Sequence, residues 1–107
     1  MKTPNLFTDL PASAPEELFE TLAKSRDVTV ERIVSTGQAT SPGEWLCQDR
    51  HEWVALLRGR AALTFADEAT PRELAAGDHL MIPGGTRHRV DWTSPDEPTL
   101  WLAVHFR

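Results

Sequence analysis

The sequence predicts a small all-β barrel preceded by one short helix, on three observations. From Val28 onward, eight short apolar runs rich in Val, Leu, Ile and Trp recur at intervals of about ten residues. Turn-forming residues stand between them. Connections of roughly two to five residues suit antiparallel hairpins and leave no room for crossover helices.

Taken in order, residues 1–13 carry two prolines, two threonines, an asparagine and a serine, and read as a loosely attached arm. Ser13 stands where an N-cap belongs, two residues before Pro15, and Glu16 and Glu17 place negative charge in the first turn. Leu18, Phe19, Leu22 and Ala23 follow at helical spacing, so a helix is expected over 14–24, packing across a barrel end or against an oligomer partner. The predicted strand runs are 28–35, 44–48, 52–58, 61–66, 72–75, 79–83, 88–93 and 99–106. Thr36-Gly37, Ser41-Pro42-Gly43, Gly59, Asp67-Glu68, Gly77-Asp78, Gly84-Gly85 and Ser94-Pro95-Asp96 separate them. Closing such runs into a barrel or double sheet removes most exposed edges. No internal repeat or second domain is evident, so 14–107 is expected to form a single barrel domain with its strands in 28–106.

Composition narrows the partners. The chain has 107 residues, 40% of them hydrophobic and 25% charged, which fits one domain with its own core and not a disordered tail. Its 11 basic residues against 16 acidic ones give a net charge of -5, so nucleic acid is not expected as a partner. No apolar run approaches the ~20 residues of a membrane-crossing helix, and no membrane partner is expected. The opening MKTPNLFTDL carries Asp9 and lacks a continuous apolar stretch, unlike a secretory signal. The single cysteine, Cys47, cannot form an internal disulfide, and a cytoplasmic location is expected. There is no nucleophile elbow, phosphate-binding loop or dinucleotide fingerprint.

One segment carries a more particular pattern. Gly77, five residues, Pro83, one residue, Gly85, two residues, His88 has a clear physical sense. Gly77-Asp78 turns the chain into a strand, Pro83 ends it, and Gly84-Gly85 makes a tight turn before an imidazole opens the next strand. This resembles the second motif of the cupin superfamily, with Trp92 where an asparagine usually stands. Upstream, Glu52, six residues, Gly59 resembles the end of the first cupin motif. The histidine pair that usually precedes the glutamate is replaced by Trp45 and Cys47, or by Leu46 and Gln48 in the other permitted spacing. The resemblance covers roughly residues 30–106. It implies a double-stranded β-helix, jelly-roll-like barrel, a homodimer, and a divalent metal held inside the barrel.

Carried over position by position, only Glu52 and His88 match the family's metal ligands. Two ligands do not fix a metal, since useful affinity needs three or four protein donors. Candidates for the rest are Cys47, a soft thiolate, Gln48, a neutral carbonyl, and His105, which shares a strand face with Trp101 and Ala103. His51 adjoins Glu52 and would point to the opposite face. Glu52, His88 and His105 together have the composition of a two-histidine, one-carboxylate iron site. Trp45, Trp92 and Arg87 are the expected pocket-lining residues, the two indoles walling an apolar or ring-shaped ligand. Competing structural readings are Glu52 paired with Arg87 or Arg89, Cys47 as a small buried apolar residue, and the tryptophans as core.

The expected function is therefore a small-molecule-binding barrel in which Glu52, His88 and one further donor hold Fe, Mn, Ni or Zn. If it is an enzyme, the resemblance implies a metal-dependent oxygenase or isomerase with Glu52 as base. The alternatives are a metal-free binding or sensor module, and a structural homo-oligomer without catalysis.

Overall fold

The computed structural model describes residues 2–107 and contains eight strands and no helix among them. They are β1 (Leu18–Lys24), β2 (Val28–Ser35), β3 (His51–Arg58), β4 (Arg60–Phe65), β5 (Arg72–Ala75), β6 (His79–Ile82), β7 (His88–Thr93) and β8 (Thr99–Phe106). A five-stranded sheet in the order β1-β2-β8-β3-β6 faces a three-stranded sheet in the order β5-β4-β7. Every strand pairing is antiparallel. No helix long and apolar enough to cross a membrane is present among the described residues.

Between β3 and β4 the chain changes sheet across a single residue. Gly59 stands alone between β3 and β4 with φ at 86°, a left-handed conformation that side chains resist. Its Cα also lies so close to Thr99 and the Pro98 carbonyl that a Cβ would not fit. The glycine of the first sequence motif thus makes the sharp corner that lets one hairpin serve two sheets.

Seven of the eight expected runs become strands. The run 44–48 does not: it contributes one isolated bridge, with Leu46 N donating to His88 O at 2.7 Å and His88 N to Leu46 O at 3.0 Å. One more contact, Gly85 N to Gln48 O at 2.8 Å, fastens its far end. That is enough to hold Leu46–Gln48 beside β7.

The expected helix over 14–24 is not formed, and its residues 18–24 are a strand instead. β1 adds to the free edge of β2, with Leu18 opposite Val34 and Lys24 opposite Thr29, and its register shifts between Thr21 and Ala23. The apolar spacing that suggested a helix therefore straddles a bulge, which changes the phase of side chains along a strand. An isolated helix this short is marginal in water, whereas the edge of β2 supplies a backbone partner along its length. All seven residues of β1 are exposed, so pairing rather than burial holds it.

The core lies between the sheets. Val54, Leu56, Leu80, Trp101 and Ala103 from the large sheet meet Ala61, Leu63, Phe65 and Leu74 from the small one. Burying side chains such as Leu56 and Leu100 stabilises the fold by about 1.5–3 kcal/mol each. Val54, Leu63, Ile82 and Trp101 of this core also wall a cavity that opens to solvent.

Candidate small-molecule cavity

This cavity has a volume of about 290 Å³, at the lower end of the size range of small-molecule sites. Period-two alternation brings its walls together. Glu31 and Ile33 of β2, Glu52 and Val54 of β3, and Trp101 and His105 of β8 face it from the large sheet, with Ile82 of β6. Leu63 of β4 and His88 and Val90 of β7 close it from the small sheet. Leu46, Cys47 and Gln48 edge it from the loop, joined by Glu17, just before β1, and Phe19 of β1. Its mouth lies where Phe19, Leu46 and Cys47 reach solvent.

The polar side chains are tied in local pairs. His105 lies directly opposite Glu52 in the β3–β8 register, yet its Nε2 stands 2.8 Å from Glu31 Oε1. Its Nδ1 is buried and has no partner. In the neutral ring, Nε2–H donates to the carboxylate and Nδ1 keeps a bare lone pair. Glu52 Oε1 accepts a hydrogen bond from Gln48 Nε2 at 2.8 Å. His88 is 4% exposed, and its Nδ1 lies 3.0 Å from Thr86 O. A carbonyl only accepts, so this contact places the proton on Nδ1 and leaves Nε2 as an acceptor in the neutral ring. Ser35 Oγ donates to Glu17 Oε2 and accepts from Trp101 Nε1 at 3.0 Å, linking β8, β2 and the entry to β1.

The five expected ligand candidates, Glu52, His88, His105, Cys47 and Gln48, all border this cavity. They do not assemble into a metal site. Among the described residues no three His, Cys, Asp or Glu side chains converge in a way that could hold an ion. His105 offers Nε2 to Glu31, Glu52 takes its hydrogen bond from Gln48, and Cys47 is exposed at the rim. The donors present do not fit a transition metal, which needs three or four aimed at one point.

The three expected pocket-lining residues, Trp45, Trp92 and Arg87, stand outside the cavity wall. Extrapolating alternation from His88 and Val90 would turn Trp92 inward. Between Ala62 and Leu63 of β4, however, β7 spends an extra residue, since Ala62 pairs with Trp92 and Leu63 with Val90. This bulge at Asp91 reverses the phase, leaving Trp92 40% exposed and burying Thr93. Arg87 precedes inward-facing His88 and so points out, where its guanidinium lies 5.4 Å from the centroid of the Trp45 ring. Neither Arg87 nor Arg89 pairs with Glu52: Arg89 instead reaches Asp91 Oδ1 at 3.1 Å.

The cavity also recruits residues that sequence reasoning missed. Glu31 sits in Val-Thr-Val-Glu-Arg-Ile-Val-Ser, where both strand phases mix apolar and polar residues, so periodicity could not show its direction. Glu17 and Phe19 were absorbed by the expected helix. Trp101 was legible only as the neighbour of His105 on one strand face.

Comparison with known proteins agrees with this architecture. The family profile for the cupin domain matches residues 32–105. A candidate mannose-6-phosphate isomerase from Ralstonia eutropha JMP134, known from its crystal structure, is 43% identical, with a TM-score of 0.95 over 99% of this chain and 98% of that one. A cupin superfamily protein of Desulfitobacterium hafniense DCB-2 superposes with a TM-score of 0.77 at 19% identity, over 99% and 92% of the two chains. An RmlC-like cupin with a double-stranded β-helix fold from Methanocaldococcus jannaschii gives 0.73 at 16% identity, over 99% and 90%. The search of curated proteins gives no match. Two facing antiparallel sheets, a glycine corner and a cavity open to solvent define a small all-β barrel protein of the double-stranded β-helix type. The chain belongs to the cupin domain family.

Proposed function

We propose that this protein binds a small organic molecule in this cavity and needs no transition metal to hold it. The observation that carries the reading is the local pairing of the polar wall: Glu31 with His105 and Glu52 with Gln48. These groups are oriented by one another rather than by an ion, and a cavity of about 290 Å³ remains beside them. Apolar side chains supply most of the remaining wall, as in small-molecule sites generally. A barrel serving only as an oligomer scaffold would have no need of an unfilled cavity lined by carboxylates and imidazoles.

Mannose-6-phosphate isomerisation, suggested by the Ralstonia relative, finds no support in the wall chemistry. Among the described residues no Lys or Arg borders the cavity, so a phosphate would lack the cationic partner that usually holds it. The competing reading, a metal held by Glu52, His88 and one further donor, draws on those residues sharing one cavity. A homodimer through β1 accompanies our proposal, because this edge strand leaves Leu18, Phe19 and Leu22 exposed.

A small-fragment screen of chelator-treated protein tests the proposal, followed by the indole N–H resonance of Trp101. Fragments that shift this resonance without added metal, and fail to do so in a cavity-filling Val90→Phe variant, are expected. Binding that appears only after adding Fe, Mn, Ni or Zn would overturn it.

A further inference from the structure

Resting on the reading of the cavity as a small-molecule site, we infer that Leu46 sets the length of ligand it accepts, its side chain being the partition between this cavity and a second cleft beside it. The second cleft has a volume of about 240 Å³ and is lined by Ala39, Thr40, Ser41 and Glu44 of the loop before β3. Among the described residues, Glu17, Leu46 and Val90 border both spaces. The two therefore meet at one shared wall, which limits how far a ligand can extend in this direction.

Two of the three shared residues are held in place. Val90 N donates to Thr40 Oγ1 at 2.9 Å, and Thr40 N donates to Val90 O at 2.9 Å. The Glu17 carboxylate accepts from Ser35 Oγ, which ties it to β2. Leu46 differs, because only its backbone is fastened, by the two hydrogen bonds it exchanges with His88. Residues directly opposite in an antiparallel bridge project to the same side, so the Leu46 side chain follows the His88 imidazole toward the cavity. It remains 45% exposed there, with no polar group to anchor it.

The two spaces differ in chemistry. Val54, Leu63, Ile82 and Trp101 offer the main cavity an apolar wall, whereas Thr40, Ser41 and Glu44 line the second cleft. A short apolar chain gains by burial against the first wall with each methylene it adds. A longer one meets the Leu46 isobutyl group before it reaches the second cleft. Truncating Leu46 joins the two spaces. Because Leu46 is nearly half exposed and lies outside the core cluster, its removal leaves the packing between the sheets intact.

A series of straight-chain primary alcohols, from n-butanol to n-octanol, tests this when titrated into the full-length protein while following the Trp101 indole N–H. In the native chain each added methylene should tighten binding about fourfold (about 0.8 kcal/mol) until the cavity is full, after which longer chains gain nothing. Leu46→Ala should carry the gain past that break, so the first alcohol beyond it binds about fourfold tighter than to the native chain. Leu46→Phe should bring the break to shorter chains, and it carries the comparison should Leu46→Ala lose its fold. Met81→Ala removes an equally exposed apolar side chain that borders neither space, and should leave the break where it is. A break that neither Leu46 variant moves, one that Met81→Ala moves as far, or no break in the native chain would overturn the role of Leu46 and leave the small-molecule reading standing. If no alcohol shifts Trp101 in any of these chains, both fall.

Discussion

Substituting Gly59 by alanine should test the corner on which the two-sheet arrangement turns. The residue holds φ at 86°, and an added Cβ would lie 2.5 Å from Thr99 Oγ1, 2.8 Å from Thr99 Cα and 3.0 Å from Pro98 O. The left-handed backbone costs about 1–2 kcal/mol for a residue with a Cβ. Forcing a methyl group into close-packed backbone adds about 1–3 kcal/mol. The two terms together predict a loss of about 2–5 kcal/mol, a large share of the stability of a domain this size. Gly43→Ala is the matched control, because Gly43 has φ at 81° with nothing within 4 Å of its Cβ position. It should lose only the backbone term. Urea unfolding of both variants, followed by circular dichroism, gives the two losses directly, with midpoints falling and slopes unchanged. Equal losses in Gly59→Ala and Gly43→Ala would refute the close approach to Thr99, and a loss below about 0.5 kcal/mol at Gly59 would refute the corner.

Further outcomes follow from the same geometry. Ser35→Ala should destabilise by about 1–3 kcal/mol, read by chemical denaturation, because the Trp101 N–H stays buried without its acceptor. It should also speed amide exchange in β1, whose entry at Glu17 that hydroxyl ties down. Trp92→Ala should leave ligand-induced shifts of Trp101 unchanged, since the bulge turns Trp92 to solvent; loss of those shifts would restore it to the cavity wall. The hydrogen bond from Arg72 holds the Glu68 carboxyl below its ordinary value. A lowered folded pKa gives stability that is present above the ordinary carboxylate range and lost as pH falls through the folded value. The stability gap between the native chain and Glu68→Gln should therefore be small at neutral pH and close on acidification. For the proposed homodimer, light scattering should report a dimer in the native chain and a monomer in Phe19→Asp.

Much of the strand layout was legible because turn chemistry is local. Gly59, Gly77-Asp78 and Gly84-Gly85 interrupt apolar runs wherever the chain reverses, and no long-range information is needed to see it. The N-terminal segment was not legible for the opposite reason. Leu18, Phe19, Leu22 and Ala23 carry helical spacing, and only the free edge of β2, far along the fold, converts them into a strand. The site divided in the same way. Glu52 and His88 follow from motif spacing and do border the cavity. Trp92 was misdirected by one extra residue in β7, because a bulge is defined by the partner strand and leaves no mark in its own sequence. Glu31 stayed hidden because neither phase of its strand is cleanly apolar, and His105 gained its partner across sheet neighbours distant in sequence.

Elemental analysis of untagged protein, purified without chelator alongside Glu52→Ala and His88→Ala, bears most directly on the metal-independent cavity. The pairing of Glu52 with Gln48 and of His105 with Glu31 predicts metal far below one equivalent in the native chain, and no change in either variant. Near-stoichiometric Fe, Mn, Ni or Zn in the native chain, lost from both folded variants, would contradict it and establish those two residues as ligands.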